Sequence, residues 1–78
     1  MMMKLIKMKN VEDVEHVNRI VSQYPYDIWI HGKSGMADAK SILGMFILKL
    51  NEPLYMVVPD EIDSHKLFKE LSDYLIVQ

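Results

Sequence analysis

One short segment of the chain has residue types that could bind phosphate. Gly32, Lys33 and Ser34 match the end of a phosphate-binding loop. That loop needs another glycine five positions before Gly32, where Asp27 stands, and a carboxylate there would repel phosphate. Because a glycine-rich turn between alternating segments is typical of a hairpin, we predict a β-turn here and no nucleotide site.

The histidines and carboxylates do not form a catalytic or metal-binding pattern. His16, His31 and His65 lie far apart, and none has a partner at the spacing of a metal site or a catalytic triad. The acidic residues of segment 12–15 are placed as in the first turn of a helix, where negative charge is favourable. Cysteine is absent, which excludes cysteine nucleophiles, thiolate metal sites and disulfides. We therefore expect no enzymatic activity, no metal and no cofactor.

Ser41 stands directly before the apolar segment 42–48, in the position of a helix N-cap. Phosphorylation would place a charge of about −1.5 to −2 at the positive end of the helix dipole, with Lys40 adjacent. A serine at this position also stabilises a helix without modification. Ser41 is thus a candidate regulatory phosphorylation site, with a plain helix cap as the alternative.

Length, composition and charge limit the possible classes of function. The 78 residues, half of them hydrophobic, suit a single domain over residues 1–78, and no apolar run reaches the length of a membrane span. Nine basic against eleven acidic residues give a net charge of −2, which argues against binding to nucleic acid or to anionic membranes. The first residues lack the features of a secretory signal, so we expect a cytoplasmic protein.

The elements that would position these residues follow from hydrophobic periodicity. The pattern predicts strands at 4–9, 26–31, 36–38 and 54–58, and helices at about 11–23, directly after Ser41, and at about 63–76. Asn10 is the expected N-cap of the first helix, and Asp63 or Ser64 that of the last. The order βαββαβα predicts an α+β two-layer open-faced sandwich, with a four-stranded antiparallel sheet and three helices on one face. The strand at 54–58 is apolar on both faces and should be central.

Three segments of the chain, 22–24, 27–30 and 40–48, resemble the HPr family, the phosphocarriers of the bacterial sugar phosphotransferase system. The run Lys-Ser-Ile-Leu-Gly-Met at 40–45 is similar to that family's regulatory-serine signature, Lys-Ser-Ile-Met-Gly-Val. The resemblance implies the same βαββαβα order and places Ser41 at the family's regulatory serine. It also implies a partner-binding surface at Ile42, Leu43, Phe46 and Leu48, accompanied on the first helix by Arg19.

The sequence departs from the family at the site that carries phosphate. The resemblance would require Gly-Ile-His-Ala-Arg-Pro-Ala at the start of the first helix, and that motif is missing. Asn10 lies nearest the place of the phosphorylated histidine, and Glu12 and Asp13 would repel an anion. His16 lies too far inside the helix to replace it. We therefore expect no phosphohistidine.

Two classes of function are consistent with this pattern. Catabolite-repression HPr-like proteins also lack the histidine, so the resemblance implies a regulatory module whose partners are HPr kinase/phosphorylase and a transcription regulator of the LacI type. The alternative is a diverged HPr-like interaction domain that binds another protein or self-associates, with Ser41 unmodified.

Overall fold

A computed structural model describes residues 2–76 as an α+β fold with four strands and three helices. In chain order the elements are β1 (Met2–Ile6), α1 (Val11–Val21), β2 (Trp29–Gly32), β3 (Gly35–Asp38), α2 (Ile42–Met45), β4 (Leu54–Val58) and α3 (His65–Glu70). The predicted order of elements is therefore confirmed. Within residues 2–76, no helix combines the length and apolar character needed to cross a membrane.

The four strands form one open antiparallel sheet in the order β1-β4-β2-β3. The apolar strand β4 lies between β1 and β2, as predicted, with Met56, Val57 and Val58 all buried. Gly32 pairs with Gly35 across a two-residue turn, which confirms the hairpin predicted for this segment. Gly35 has a φ of 149°, a conformation that residues with a Cβ rarely adopt.

All three helices bury their apolar residues against the same face of the sheet. Alternate strand residues point to that face, and α1 contributes the largest helical share because its valines and isoleucine follow the helical period. The cluster contains Ile6, Ile30, Leu54, Met56 and Val58 from the sheet, Val14, Val17, Ile20 and Val21 from α1, Met45 from α2, and Leu67 and Phe68 from α3. The strand residues on the opposite face do not belong to this cluster.

The last helix is shorter than predicted. It ends at Glu70, and residues 74–76 instead run along the edge of β1. The Lys7 N–H donates to the Tyr74 carbonyl at 2.7 Å, and the Ile76 N–H donates to the Leu5 carbonyl at 3.0 Å. These bonds satisfy an otherwise open strand edge, which the helical pattern of residues 63–76 does not reveal.

The other boundaries differ from the predictions by a few residues. Strand β1 occupies Met2–Ile6 instead of 4–9, β2 begins only at Trp29, and α1 ends at Val21. The Ser22 hydroxyl donates to the Asn18 carbonyl at 2.7 Å and so satisfies one of the last carbonyls of α1. At the start of α3, Ser64 occupies the N-cap position without a side-chain cap bond, and Asp63 accepts the His65 N–H at 3.1 Å instead.

Candidate functional site

Ser41 lies on the surface at the start of α2, as predicted. Its backbone is extended, and its Oγ accepts the Gly44 N–H at 3.2 Å while its carbonyl accepts the Met45 N–H at 2.9 Å. A Cβ at Gly44 would lie 3.2 Å from this Oγ, a closer approach than most side chains tolerate. The glycine therefore leaves room for the serine to cap the helix.

The loop before Ser41 is held in place by two other elements. The buried Ala39 donates its N–H to the Ile28 carbonyl at 2.9 Å, and its own carbonyl accepts from the Asn18 side chain of α1 at 2.9 Å. The Ser41 N–H donates to the Asp38 carbonyl, also at 2.9 Å. Ser41 thus has a position fixed by α1 and by the end of β3, although its hydroxyl faces solvent.

The charges around Ser41 are compatible with an added phosphate. The first turn of α2 contains no acidic residue. The ammonium of Lys40 donates to the Tyr24 carbonyl, and the Lys40 N–H donates to the Asp38 carboxylate at 2.9 Å. The Lys40 ammonium would therefore have to break its hydrogen bond to the Tyr24 carbonyl before it could contact a phosphate on Ser41.

The exposed apolar residues of α2 and its C-terminal turn differ in part from the predicted set. Leu43 and Ile47 are 77% and 76% exposed, and Phe46 is 45% exposed. We call these three residues the α2 surface. Ile42 and Leu48, which the resemblance also placed on the partner surface, are half-buried and pack against the core. Ile47 was not predicted, although its spacing from Leu43 and Phe46 is the i, i+3, i+4 pattern of one helix face.

Arg19, the basic candidate on the first helix, lies exposed in the last turn of α1. A cation at this position interacts favourably with the helix dipole. That local role accounts for an arginine here whether or not it contacts a partner.

The start of α1 is occupied by groups of the protein itself. Asn10 Oδ1 accepts the Asp13 N–H at 2.9 Å, and Asp13 Oδ2 accepts the Lys9 N–H at 2.8 Å. An open cleft of about 510 Å³ beside it is lined by two lysines and two aspartates, Lys7, Lys9, Asp13 and Asp73, together with Asn10 and Tyr74. The opposite charges offset each other, and the carboxylates of Asp13 and Asp73 disfavour an anion in this cleft.

The structure does not bring the histidines together. His16 is exposed on α1, where Nδ1 is hydrogen-bonded to the Tyr74 hydroxyl and the two rings meet edge to face at 5.6 Å. Burial, and then the charges of Asp13 and Asp73, raise the pKa of Tyr74 above its usual value of about 10. His31 lies in β2 and His65 at the start of α3. Within the described residues no group of three or more potential metal ligands occurs.

Comparison of the chain with protein-family models, with curated proteins and with solved structures gave no match. The relationship to the HPr family therefore stays a prediction that depends on the residue blocks quoted above. The geometry of Ser41 and the α2 surface is the basis for a proposed function.

Proposed function

We propose that this chain is a non-catalytic HPr-like binding module of the bacterial sugar phosphotransferase and carbon-catabolite system, acting in the cytoplasm. In this function it carries no phosphohistidine, and phosphorylation of Ser41 controls whether the α2 surface binds a partner. The partners are HPr kinase/phosphorylase, which modifies Ser41, and a LacI-type transcription regulator, which reads the modified protein.

The observation that carries this proposal is the juxtaposition of Ser41 with the α2 surface. An exposed hydroxyl at a helix start lies two residues before Leu43, and the first turn contains no carboxylate that would repel a phosphate. Leu43, Phe46 and Ile47 then expose apolar side chains next to it. The cavity beside Ile47 measures only about 60 Å³, well below the size of a small-molecule pocket, which favours a protein partner.

Two further observations support the proposal. The observed order βαββαβα agrees with the order that the resemblance implies. At the start of α1, Asn10 Oδ1 accepts the Asp13 N–H, the Asp13 carboxylate accepts the Lys9 N–H, and the acidic first turn disfavours a phosphate. Both observations fit an HPr-like protein that retains the regulatory serine without the carrier histidine.

Phosphorylation of the purified protein by a bacterial HPr kinase/phosphorylase with ATP tests the role of Ser41. Intact-mass measurement should detect one added phosphate on the unaltered chain and on the control Ser72→Ala, which removes another exposed hydroxyl. Ser41→Ala should remain unmodified. Absence of phosphate on the unaltered chain, or phosphate on Ser41→Ala, would contradict the proposal.

Binding to a LacI-type regulator tests the α2 surface separately. Calorimetric titration should detect binding only after phosphorylation, and Leu43→Ser with Ile47→Ser should weaken it at least tenfold because both side chains are exposed and apolar. Incubation with phosphoenolpyruvate and enzyme I should give no acid-labile phosphate. Acid-labile label on His16 would contradict the assignment as a non-carrier.

A second function, binding through the α2 surface without phosphorylation, is favoured by one observation. The Ser41 Oγ already accepts the Gly44 N–H, so the residue stabilises α2 in its unmodified form. For this function Leu43→Ser should reduce binding of the unphosphorylated protein to its protein partner or to a second copy of itself. Ser41→Ala should leave that binding unchanged.

A further inference from the structure

The face of the sheet opposite the helices is formed by two rows of cross-strand neighbours. The strand register places Met3, Val57, Trp29 and Asp38 in one row and Leu5, Tyr55, His31 and Met36 in the next. We call these eight residues the open face. None of them belongs to the core cluster that the helices cover.

The open face consists mainly of apolar and aromatic residues, a composition typical of a surface that another element or molecule covers. An antiparallel sheet with one face in water normally carries polar side chains on that face. Of the eight residues of the open face, Asp38 and His31 have polar side chains, and Tyr55 has an aromatic ring with a hydroxyl. Val57 is 3% exposed although it lies outside the main core cluster. Its row neighbours Met3 and Trp29 are themselves exposed. The face is therefore a largely apolar layer that lies outside the core of residues 2–76 and is exposed in part.

Charges of opposite sign stand at the two ends of this face. At the end where β2 begins and β4 ends, an open cleft of about 350 Å³ brings Asp27, Asp60 and Glu61 beside Trp29 and Val57. Asp38, at the end of β3, adds another carboxylate there.

Basic residues lie at the opposite end. Lys33 occupies the turn between β2 and β3, and Lys7 follows β1 with its ammonium 3.4 Å from the Leu50 carbonyl. Carboxylates also lie near this end: Glu52 accepts the N–H and the hydroxyl of Ser34, each at 3.0 Å, and Asp73 lines the same cleft as Lys7. A third lysine, Lys49, lines a cavity with Ser34 and Glu52. The face is therefore acidic at one end, apolar in the middle and basic at the other.

We propose that the open face is the interface of a homodimer in which two sheets stack face to face. A partner of uniform charge would be repelled at one end of the face, whereas a second copy turned end over end is attracted at both. This arrangement fixes the symmetry. The two-fold axis runs across the strands, each strand lies antiparallel over its own counterpart, and the row containing Trp29 lies opposite the row containing His31 of the second copy.

The size of the face sets the strength of the dimer. Four strands about 4.8 Å apart, each about 17 Å long, give a footprint of roughly 19 by 17 Å. A standard stable interface loses about 800 Å² of accessible surface per partner. The footprint is smaller than that, so the dimer is weak and depends on protein concentration. Ile47 of the α2 surface and Met36 of the open face line one small cavity, so the two surfaces meet beside β3. The dimer itself does not require phosphorylation of Ser41.

Sedimentation equilibrium between about 10 µM and about 1 mM protein, a range matched to a weak interface, tests the dimer. We expect the monomer mass at the lower limit and a mass approaching twice that value at the upper. Lys7→Glu with Lys33→Glu makes both ends of the face acidic, and Asp27→Lys with Glu61→Lys makes the acidic end basic. Each double variant alone should lose at least tenfold in self-association, and an equimolar mixture of the two should restore it.

The control pair Lys66→Glu and Lys69→Glu changes the same number of charges on α3, away from the open face, and should leave self-association unchanged. Circular dichroism verifies that each variant is folded. A monomer at every concentration overturns the proposal, as does a dimer that the reversals do not weaken or a mixture that does not associate. A dimer whose concentration-dependent NMR shifts fall on Leu43 and Phe46 instead of Trp29 and Tyr55 assigns self-association to the α2 surface and equally overturns it.

Discussion

Both α1 and α2 begin at a polar side chain that accepts a backbone N–H three residues later, yet the two helix starts have different charges. At α1, Asn10 Oδ1 accepts the Asp13 N–H, and the Asp13 carboxylate accepts the Lys9 N–H. Glu12 adds a second negative charge to this helix start. At α2 the Ser41 Oγ is the only side-chain cap, and the first turn has no acidic residue. Two carboxylates of the chain thus lie in the first turn of α1, whereas the first turn of α2 has no negative charge.

The two helices also differ in how they are anchored. Helix α1 has 11 residues and buries four of them along one face. Helix α2 has four residues, of which only Met45 is buried. The position of Ser41 and of the α2 surface therefore depends on Met45, on the half-buried Ile42 and Leu48 that pack against the core, and on the loop before α2.

Replacing Met45 should have the largest effect on the free energy of unfolding. Met45→Ala should lower the free energy of unfolding by about 2–5 kcal/mol, because it leaves a cavity in a core position that is fully buried. Leu43→Ala, in the same helix but largely exposed, should change it by less than about 0.5 kcal/mol. Urea unfolding measures both. Similar losses for the two variants would mean that α2 is not anchored through Met45.

Removing the caps should have a smaller effect that differs between the helices. Asn10→Ala should cost about 1 kcal/mol, since α1 loses a bond that acts together with the Asp13–Lys9 pair. Ser41→Ala should cost about half as much, because it begins a helix of only four residues. Asn10→Ser, which keeps an acceptor, serves as the control in the same unfolding experiments. Equal losses of stability at the two sites would mean that the additional bond from the Lys9 N–H to Asp13 does not strengthen the cap of α1.

Much of this arrangement can be predicted from local sequence, because caps and periodicity are local properties. Asn10, Ser41 and the central strand Leu54–Val58 were identified from residue types and spacing alone. Residues 74–76 were not, because Leu75 continues the helical stripe of α3 while the edge of β1 offers hydrogen bonds from a distant part of the chain.

The exposed residues near Ser41 were only partly predicted, for a related reason. Segment 42–48 is apolar at nearly every position, so its pattern does not tell which side chains face inward. Met45, Ile42 and Leu48 turn toward the core because hydrogen bonds hold the loop before α2 to α1 and to Ile28, the residue before β2, a constraint of the tertiary structure. Ile47 is left on the surface as a consequence.

Adding one negative charge at each helix start tests the electrostatic difference directly. Ser41→Asp should raise the free energy of unfolding by up to about 0.5 kcal/mol, since an aspartate can cap α2 and its charge interacts with the dipole. Asn10→Asp should change it by less, because repulsion from Glu12 and Asp13 offsets the favourable interaction of the new charge with the helix dipole. Urea unfolding at low salt and at 1 M salt measures the difference in free energy of unfolding between the two variants. This difference should become smaller at high salt, because salt screens these exposed charges. A gap that persists in high salt would assign the difference to capping geometry.

The smallest effect concerns Tyr74, which lies beside the acidic start of α1. Burial, and then Asp13 and Asp73, raise the pKa of Tyr74, so Asp13→Asn should lower that pKa without returning it to the usual value. A raised pKa in the folded state favours the neutral hydroxyl, so this contribution to stability is present below about pH 10 and is lost as the pH rises further. NMR titration of the Tyr74 ring measures the shift. Ser41→Asp, which adds charge at the start of α2, should leave it unchanged, and an unaltered pKa in Asp13→Asn would contradict the account of α1 as the acidic helix start.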